Sequence, residues 1–265
     1  MSKVSVYVIA YNEQEKLREA LASVSWADEI VLCDSGSTDA TADIARSFGA
    51  RVIQVPFEGF GRLRNSALDA CTHEWIFSLD ADERCTPAVR DEIRATINGP
   101  QPADAYQVPR RNYFMGRWIR HSGWYPDYRQ PQLFRRGALR YKEDPVHEGY
   151  VLTGRLGRLT HAIWQFPFKD LSQVIAKSNR YSSLGAGRMA ARQVPSSMAR
   201  AFWHGLWAFL RHYILRAGVL DGWAGFVIAL STAEGTFYRY AKRCAEQRGW
   251  DRPPAAGPDG GPLGS

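Results

Sequence analysis

The chain has 265 residues, 45% of them hydrophobic and 23% charged, which suits a globular protein that buries one sizeable core and carries appended elements. Its four cysteines, Cys33, Cys71, Cys85 and Cys244, stand far apart. That spacing excludes a C-x-x-C zinc or redox pair and a secreted disulfide framework, and reads as reduced thiols in a cytoplasmic protein. The net charge of +7 is concentrated in residues 168 to 248, where twelve Lys and Arg face four Asp and Glu while the remainder is near neutral. A basic, aromatic-rich segment of that kind suits anionic lipid or nucleic acid.

At the amino terminus the first three residues run straight into a strand-like stretch, Val4 to Ile9, with no cleavage site after it, so no secretory leader and no export are expected. To about residue 100, short β-rich runs alternate with helical patterns, the signature of parallel strands joined by crossover helices. The spacing predicts strands over Val4 to Ala10, Glu29 to Cys33, Arg51 to Val55 and Trp75 to Leu79, with helices near 13–24, 39–48, 61–71 and 87–97. In the first helix Leu17, Leu21 and Val24 fall at i, i+4 and i+7 and form the stripe that faces the sheet. Thr86 and Pro87 form a cap and a first helical position.

Beyond residue 100, short strands are expected over Ala105 to Met115, Gln132 to Arg135, Gly149 to Leu152 and Arg158 to Ala162, separated by long loops where an acceptor site could be built. Helices near 170–190, 197–216 and 221–247 follow, then a Pro- and Gly-rich tail, residues 249–265, expected to be disordered. The longest apolar run in this third, Ala224 to Leu230, falls short of the roughly 20 residues of a bilayer-spanning helix, so no span is expected. The stretch Arg200 to Leu215 places Phe202, Leu206, Phe209 and Tyr213 at helical spacing. Such a stripe either lies in a bilayer interface or packs against protein.

Three clusters carry chemistry, each where a strand ends, the place at which open α/β sheets gather ligands. Ala10-Tyr11-Asn12-Glu13 closes the first strand; Asn12 can equally be a plain helix cap. Asp34, followed by Ser35-Gly36-Ser37-Thr38-Asp39, stands where an acidic residue reads a ribose or base, although Ser37 or Thr38 could merely cap the next helix. Asp80-Ala81-Asp82-Glu83 follows the fourth strand, and carboxylates one residue apart on a strand share a face and can address a common cation. Hard oxygen ligands favour Mg²⁺ or Mn²⁺, with a diphosphate completing the shell.

In this order the clusters resemble the inverting family-two glycosyltransferases of the GT-A fold, and within them are most similar to the lipopolysaccharide-core β-glucosyltransferase branch. The resemblance extends over residues 3 to 248 and also rests on Gly-Arg-Leu-Arg-Asn-Ser-Ala-Leu (61–68), Pro-Val-His-Glu (145–148) and Leu-Asp-Gly-Trp-Ala-Gly-Phe (220–226). It implies an α/β fold with a Rossmann-like, mainly parallel sheet flanked by helices and a carboxy-terminal helical extension. The implied domains are a catalytic domain over 1–168, with its nucleotide-sugar half at 1–100 and acceptor half at 101–168, and a basic helical extension over 169–248. Ala10, Tyr11, Glu13 and Asp34 would hold the nucleoside, Arg64 would lie near the donor phosphates unless it is an exposed helix arginine, and Asp80 with Asp82 would flank metal and donor.

Displacement at the anomeric carbon also needs a base beside the acceptor hydroxyl. Asp144, His147 and Glu148 are the candidates; the resemblance, carried here by the His-Glu pair, favours Glu148, with Asp144 the runner-up, and His147 orients the carboxylate, touches the metal or fills a polar core position. Asp127 contacts acceptor or donor sugar, or caps a loop. The implied activity is hexosyl transfer, from UDP-glucose if the branch is a guide, to a lipid-linked glycan such as lipopolysaccharide core. The expected place is the cytoplasmic face of the inner membrane, held peripherally, with no nucleic-acid partner and no expectation for the oligomeric state. The alternatives are a nucleotidyltransferase and a non-catalytic nucleotide-sugar or membrane-binding protein; a dehydrogenase is disfavoured because no G-x-G-x-x-G follows the first strand.

Overall fold

A computed structural model describes residues 1–100, 102–143 and 149–250. They form two compact units, one comprising 1–113 with 125–167, the other 114–124 with the residues from 168 onward.

The first unit opens with β1 (Val4–Ala10), α1 (Gln14–Ser23), β2 (Glu29–Asp34), α2 (Thr41–Ser47), β3 (Arg51–Gln54), α3 (Phe60–Ala70) and β4 (Trp75–Ser78). It continues through β5 (Glu83–Arg84), α4 (Pro87–Ile97), β6 (Ala105–Gln107) and β7 (Arg110–Phe114), whose last residue belongs to the second unit together with β8 (Arg117–Trp118). Then come β9 (Leu133–Arg135), β10 (Leu139–Tyr141), β11 (Tyr150–Leu152), β12 (Leu156–Arg158) and β13 (Ile163–Gln165). Seven strands make one sheet in the order β12-β6-β9-β4-β1-β2-β3, parallel from β4 to β3, with β9 antiparallel to both β4 and β6. Strand β13 joins β5 antiparallel and β7 parallel, which brings the second cluster of strands against the turn after β4.

Alternation in β1 shows why both faces of the sheet are filled. Val4, Val6 and Val8 pack with Leu17, Leu21 and Val24 of the first helical stripe and with Val89, Ile93 and Ile97 of α4. Tyr7 points the other way, among Leu63, Ala67 and Leu68 of α3. A strand buried on both faces needs apolar residues at nearly every position, as β1 and β4 have. Helix α4 starts as its sequence dictates, the Thr86 side chain accepting from Val89 N at 3.3 Å with Pro87 in the first turn.

Three expectations need correction. The strand expected over 105–115 is two strands, because Pro109 lacks the N–H that a continuous ladder requires. The strand expected over 158–162 is displaced: β12 ends at Arg158 and β13 begins at Ile163, and Thr160 and His161 instead give their backbone N–H groups to Glu92, each at 2.8 Å. The helix expected over 197–216 is α-helical only to Leu210, beyond which a wider π-helical turn runs from Arg211 to Leu215.

The second unit contains α5 (Leu171–Ala191), α6 (Met198–Leu210) and α7 (Gly222–Arg248), with α7 packed along both others. Asp170 and Ser197 cap α5 and α6 by accepting from Gln173 N and Arg200 N at 2.8 and 3.2 Å. Phe114, Ile119, Val174, Ala224 and Ile228 form its core. Among the described residues no single helix is long and apolar enough to cross a membrane, but Met198–Leu215 and Gly218–Arg248, bent by 71°, reach that length and composition as a pair.

Candidate functional site

The carboxyl ends of β1, β2 and β4 lie side by side in the sheet, so the three sequence clusters meet at one edge. The loops after β1 and β2 are stitched together by side chains, among them Asn12 and Ser37, for which capping was the alternative reading. Asn12 adopts a left-handed backbone (φ 53°), accepts at Oδ1 from Thr38 N at 2.8 Å and donates its own N–H to Ser37 Oγ at 2.9 Å. Glu13 N donates to Thr41 Oγ1 at 2.8 Å and Gln14 N to Asp39 at 3.2 Å. Neither Asn12 nor Ser37 nor Thr38 caps its own helix, because each satisfies the neighbouring loop.

Ala10 is buried at the end of β1 and its carbonyl accepts from Ser35 N at 3.0 Å, while Tyr11 stands exposed beside it. Asp34 is wholly buried: Ser37 Oγ donates to Oδ1 at 2.5 Å and Gln54 Nε2 to Oδ2 at 2.7 Å. Asp34 thus fixes the loop that would frame a nucleoside, and a base reaching it has to displace Gln54 or Ser37. Burial, followed by the carboxylates of Asp39 and Asp80, raises the pKa of Glu13 against the opposing pull of Lys16.

Arg64 is not an exposed helix arginine. Its side chain is 11% exposed, held over the Tyr141 ring, with Nη1 donating to Ser78 Oγ at 3.2 Å and Nη2 to Asp80 Oδ1 at 2.9 Å. Burial pushes the Asp80 carboxyl up, but Arg64 and the more distant Arg110 override it and hold it below the usual carboxylate range.

Asp80 and Asp82 do not share a strand face as expected. Strand β4 ends at Ser78, and the two stand in a turn closed by Glu83 N donating to Asp80 O at 2.9 Å. The turn sends Asp80 to Arg64 and Asp82 to Gln165, whose Nε2 donates at 3.2 Å. Burial and the charge of Asp80 raise the pKa of Asp82, the neutral amide of Gln165 opposing them.

Beneath this turn is a buried polar cluster to which the sequence alone assigns no role. Glu83 accepts from Arg110 Nε at 2.6 Å, Gln132 Nε2 at 2.9 Å and Asp80 N at 3.0 Å. Glu83, Arg110, Gln132 and Gln165 are all buried, and burial with the Asp80 and Asp82 carboxylates pushes the Glu83 carboxyl up against the pull of Arg110. Gln132, just before β9, and Gln165, in β13, lie far along the chain, so the only signal in the sequence is a third acidic residue directly after the D-x-D that follows a hydrophobic strand. Asp127 lies at the rim of this cluster, accepting from Asn112 Nδ2 at 3.2 Å and pairing with Arg129 at 2.8 Å, and its backbone bridges to that of Arg110.

Helix α3 also holds residues 141–143, which lead into the segment of the candidate bases. Asn65 treats Tyr141 as a strand partner, accepting from its N–H and donating to its carbonyl, both at 2.9 Å, and donates to Glu143 at 3.0 Å. Only glycine fits at position 61: a Cβ there would sit 2.1 Å from the Lys142 carbonyl oxygen. Asp144, His147 and Glu148 lie outside the described residues.

Among the described residues no three His, Cys, Asp or Glu side chains converge as a ready metal cage. The donor set nevertheless fits a hard divalent cation of the Mg²⁺ or Mn²⁺ type, which is commonly bound through one or two carboxylates with substrate phosphates and water supplying the rest. Asp82 has both a carboxylate and a field of like charge from Asp80 and Glu13 that a cation would relieve.

A family model described as "Glycosyl transferase family 2" matches residues 5–155. The chain is 31% identical over 254 residues to the lipopolysaccharide core biosynthesis glycosyltransferase LpsC of Rhizobium meliloti (strain 1021), covering 90% of this chain and 91% of that protein. It is 27% identical to an uncharacterized glycosyltransferase of Rickettsia prowazekii (strain Madrid E), covering 91% and 87%. Among solved structures, residues 1–349 of TarS from S. aureus align over 93% of this chain and 92% of that one at 15% identity, with a TM-score of 0.47.

Proposed function

The chain belongs to glycosyl transferase family 2 and is a glycosyltransferase on the family's GT-A architecture, and from that premise we propose that it moves a hexose, with inversion, from a nucleotide-sugar donor to a lipid-linked glycan. UDP-glucose is the donor in this reading, lipopolysaccharide core the acceptor, and the inner face of the cell membrane the place where peripheral attachment brings them together. The likeness to LpsC over nine-tenths of both chains supports the acceptor class.

The observation that carries the reading is the division of labour after β4. Arg64 neutralises Asp80 at 2.9 Å, which leaves the guanidinium and the Asp82 carboxylate at the same strand edge with opposite electrostatic tasks. Nucleotide phosphates placed there would meet the cation of Arg64 on one side. A divalent metal held through Asp82 would polarise the diphosphate and compensate the charge it gains on leaving. Glu13 and the stitched loops after β1 and β2 would orient the nucleoside. Glu148, or Asp144 in its place, would accept the proton of the acceptor hydroxyl as its oxygen bonds to the anomeric carbon and the bond to the diphosphate breaks.

The test is transfer of radiolabelled glucose from UDP-glucose into truncated lipopolysaccharide in the presence of Mn²⁺, with the anomeric configuration of the product read by NMR. Incorporation with a β linkage is the expected result; label released as free glucose only, or no incorporation from any nucleotide-sugar, would contradict it.

A further inference from the structure

The motif Leu220 to Phe226 plays no part in the site above, yet it builds an unusual turn. Between α6 and α7, Ala217 adopts a left-handed backbone (φ 53°), Gly218 lies against the His212 carbonyl, and a Cβ on Gly225 would fall 1.9 Å from the Gly218 oxygen. Asp221 is drawn inward to 1% exposure, where it accepts from His121 N and Ser122 Oγ, each at 3.0 Å, and from Arg120 N at 3.2 Å. Ser122 N in turn donates to Arg216 O at 2.9 Å. The turn is therefore built to hold one shape.

That shape displays apolar side chains. Trp223 is 78% exposed, Leu215 66% and Leu220 63%, with Leu210, Ile214 and Val219 exposed beside them. Trp203 and Trp207 extend the same character back along α6. Within the turn, residues 210 to 223, the sequence holds Arg211, Arg216 and a single acid, Asp221, the one turned inward. An apolar tip with no carboxylate at its surface, attended by exposed Arg211 within the turn and by exposed Arg117 and Arg120 against Gly222 and Asp221, is complementary to an anionic bilayer. A second copy of the same face would bring like charges together.

We propose that the turn from Leu210 to Trp223 is a monotopic membrane wedge. Its apolar side chains enter the acyl region of one leaflet, the packing of α7 back along α6 returns the chain to the same side, and Arg117, Arg120 and Arg211 beside the turn meet lipid phosphates. The wedge rests on the peripheral attachment proposed above and names the part of the chain responsible.

The full chain carrying Leu220→Cys, labelled with a polarity-sensitive nitrobenzoxadiazole probe, tests it without donor or acceptor, so its failure is separate from any failure of transfer. The native cysteines among the described residues are all buried and leave position 220 as the reactive one. With vesicles of phosphatidylcholine and phosphatidylglycerol the probe shifts to the blue, is quenched by nitroxide on the acyl chains and is shielded from aqueous iodide. A probe at Asp43→Cys, whose side chain is 82% exposed on α2, stays aqueous. Leu215→Glu with Leu220→Glu lowers vesicle partitioning by about 100-fold, as charge in the acyl region should, while thermal unfolding stays as in the wild type because both side chains are largely exposed. Iodide quenching at position 220 in the presence of vesicles, or partitioning of the double Glu variant equal to the wild type, would overturn the wedge. So would a blue shift without lipid in protein that sediments as a dimer, which would make the tip an interface between copies.

Discussion

Arg64 Nη2 stands 2.9 Å from Asp80 Oδ1, so the first carboxylate of the D-x-D turn is already neutralised by a buried guanidinium before any ligand arrives. The second, Asp82, is met by the neutral amide of Gln165 and repelled by Asp80. The two acids are therefore different chemical objects, and their variants should behave differently.

Asp82→Asn removes a carboxylate that burial and like charge disfavour. In the metal-free protein it is expected to raise the melting temperature by about 2 °C, as when a strained functional group is relieved. Turnover with Mn²⁺ should fall at the same time. Calorimetric melting with and without chelator checks both halves.

Arg64→Met leaves Asp80 without its counter-charge and takes a cation from the phosphate side of the site. The expected loss is about 10² to 10³ in kcat/KM, the scale of removing one preorganised charged donor. Arg64→Lys should recover only part of it, since one ammonium cannot reach both Ser78 and Asp80 as the guanidinium does. Steady-state kinetics across the pair separate the two outcomes.

The pH dependence has opposite signs at the two positions. Asp80 is held below its ordinary value, so the stability it lends is present above the unfolded carboxylate pKa, roughly 4, and is lost as pH falls through the lower folded value. Asp82 is raised, so its ionised, cation-binding form is lost at higher pH than that of an ordinary aspartate. Acidification is expected to weaken Mn²⁺-dependent nucleotide binding before it unfolds the protein, and binding and circular dichroism titrated over the same pH range show the order.

Glu83→Ala would strand Arg110 in the interior without its counter-ion, a change that costs about 3 to 5 kcal/mol. Glu83→Gln keeps the shape but not the charge and should fall between Ala and wild type in thermal unfolding. Gly61→Ala sets a methyl against the Lys142 carbonyl and should cost about 1 to 3 kcal/mol, with activity lost out of proportion if the stem at 141–143 positions acceptor-side groups.

Periodicity and strand-end position made the first hundred residues readable: β1, β2, β4 and α4 fall within a residue of where the sequence places them. Burial on both faces leaves a strong local signal in short apolar strands, and Thr86-Pro87 marks its helix start unambiguously. The strands beyond residue 100 were less legible because they are two to five residues long and their pairing is set by distant partners, as β13 is by β5 and β7. The same non-locality hid Glu83, whose partners Arg110 and Gln132 lie 27 and 49 residues away. Asn12 and Ser37 carried cap-like signals, but each is used by the other's loop.

Binding of UDP, GDP and dTDP, measured by isothermal calorimetry with and without Mn²⁺ in the wild type and in Asp82→Asn, tests the donor site most directly. The expected result is that one nucleotide, UDP, binds with a Mn²⁺ requirement and that the substitution weakens it by about tenfold or more, at least the scale of losing an indirect partner of a bound metal. No binding of any nucleotide under either condition, or binding equally tight in Asp82→Asn, would contradict it.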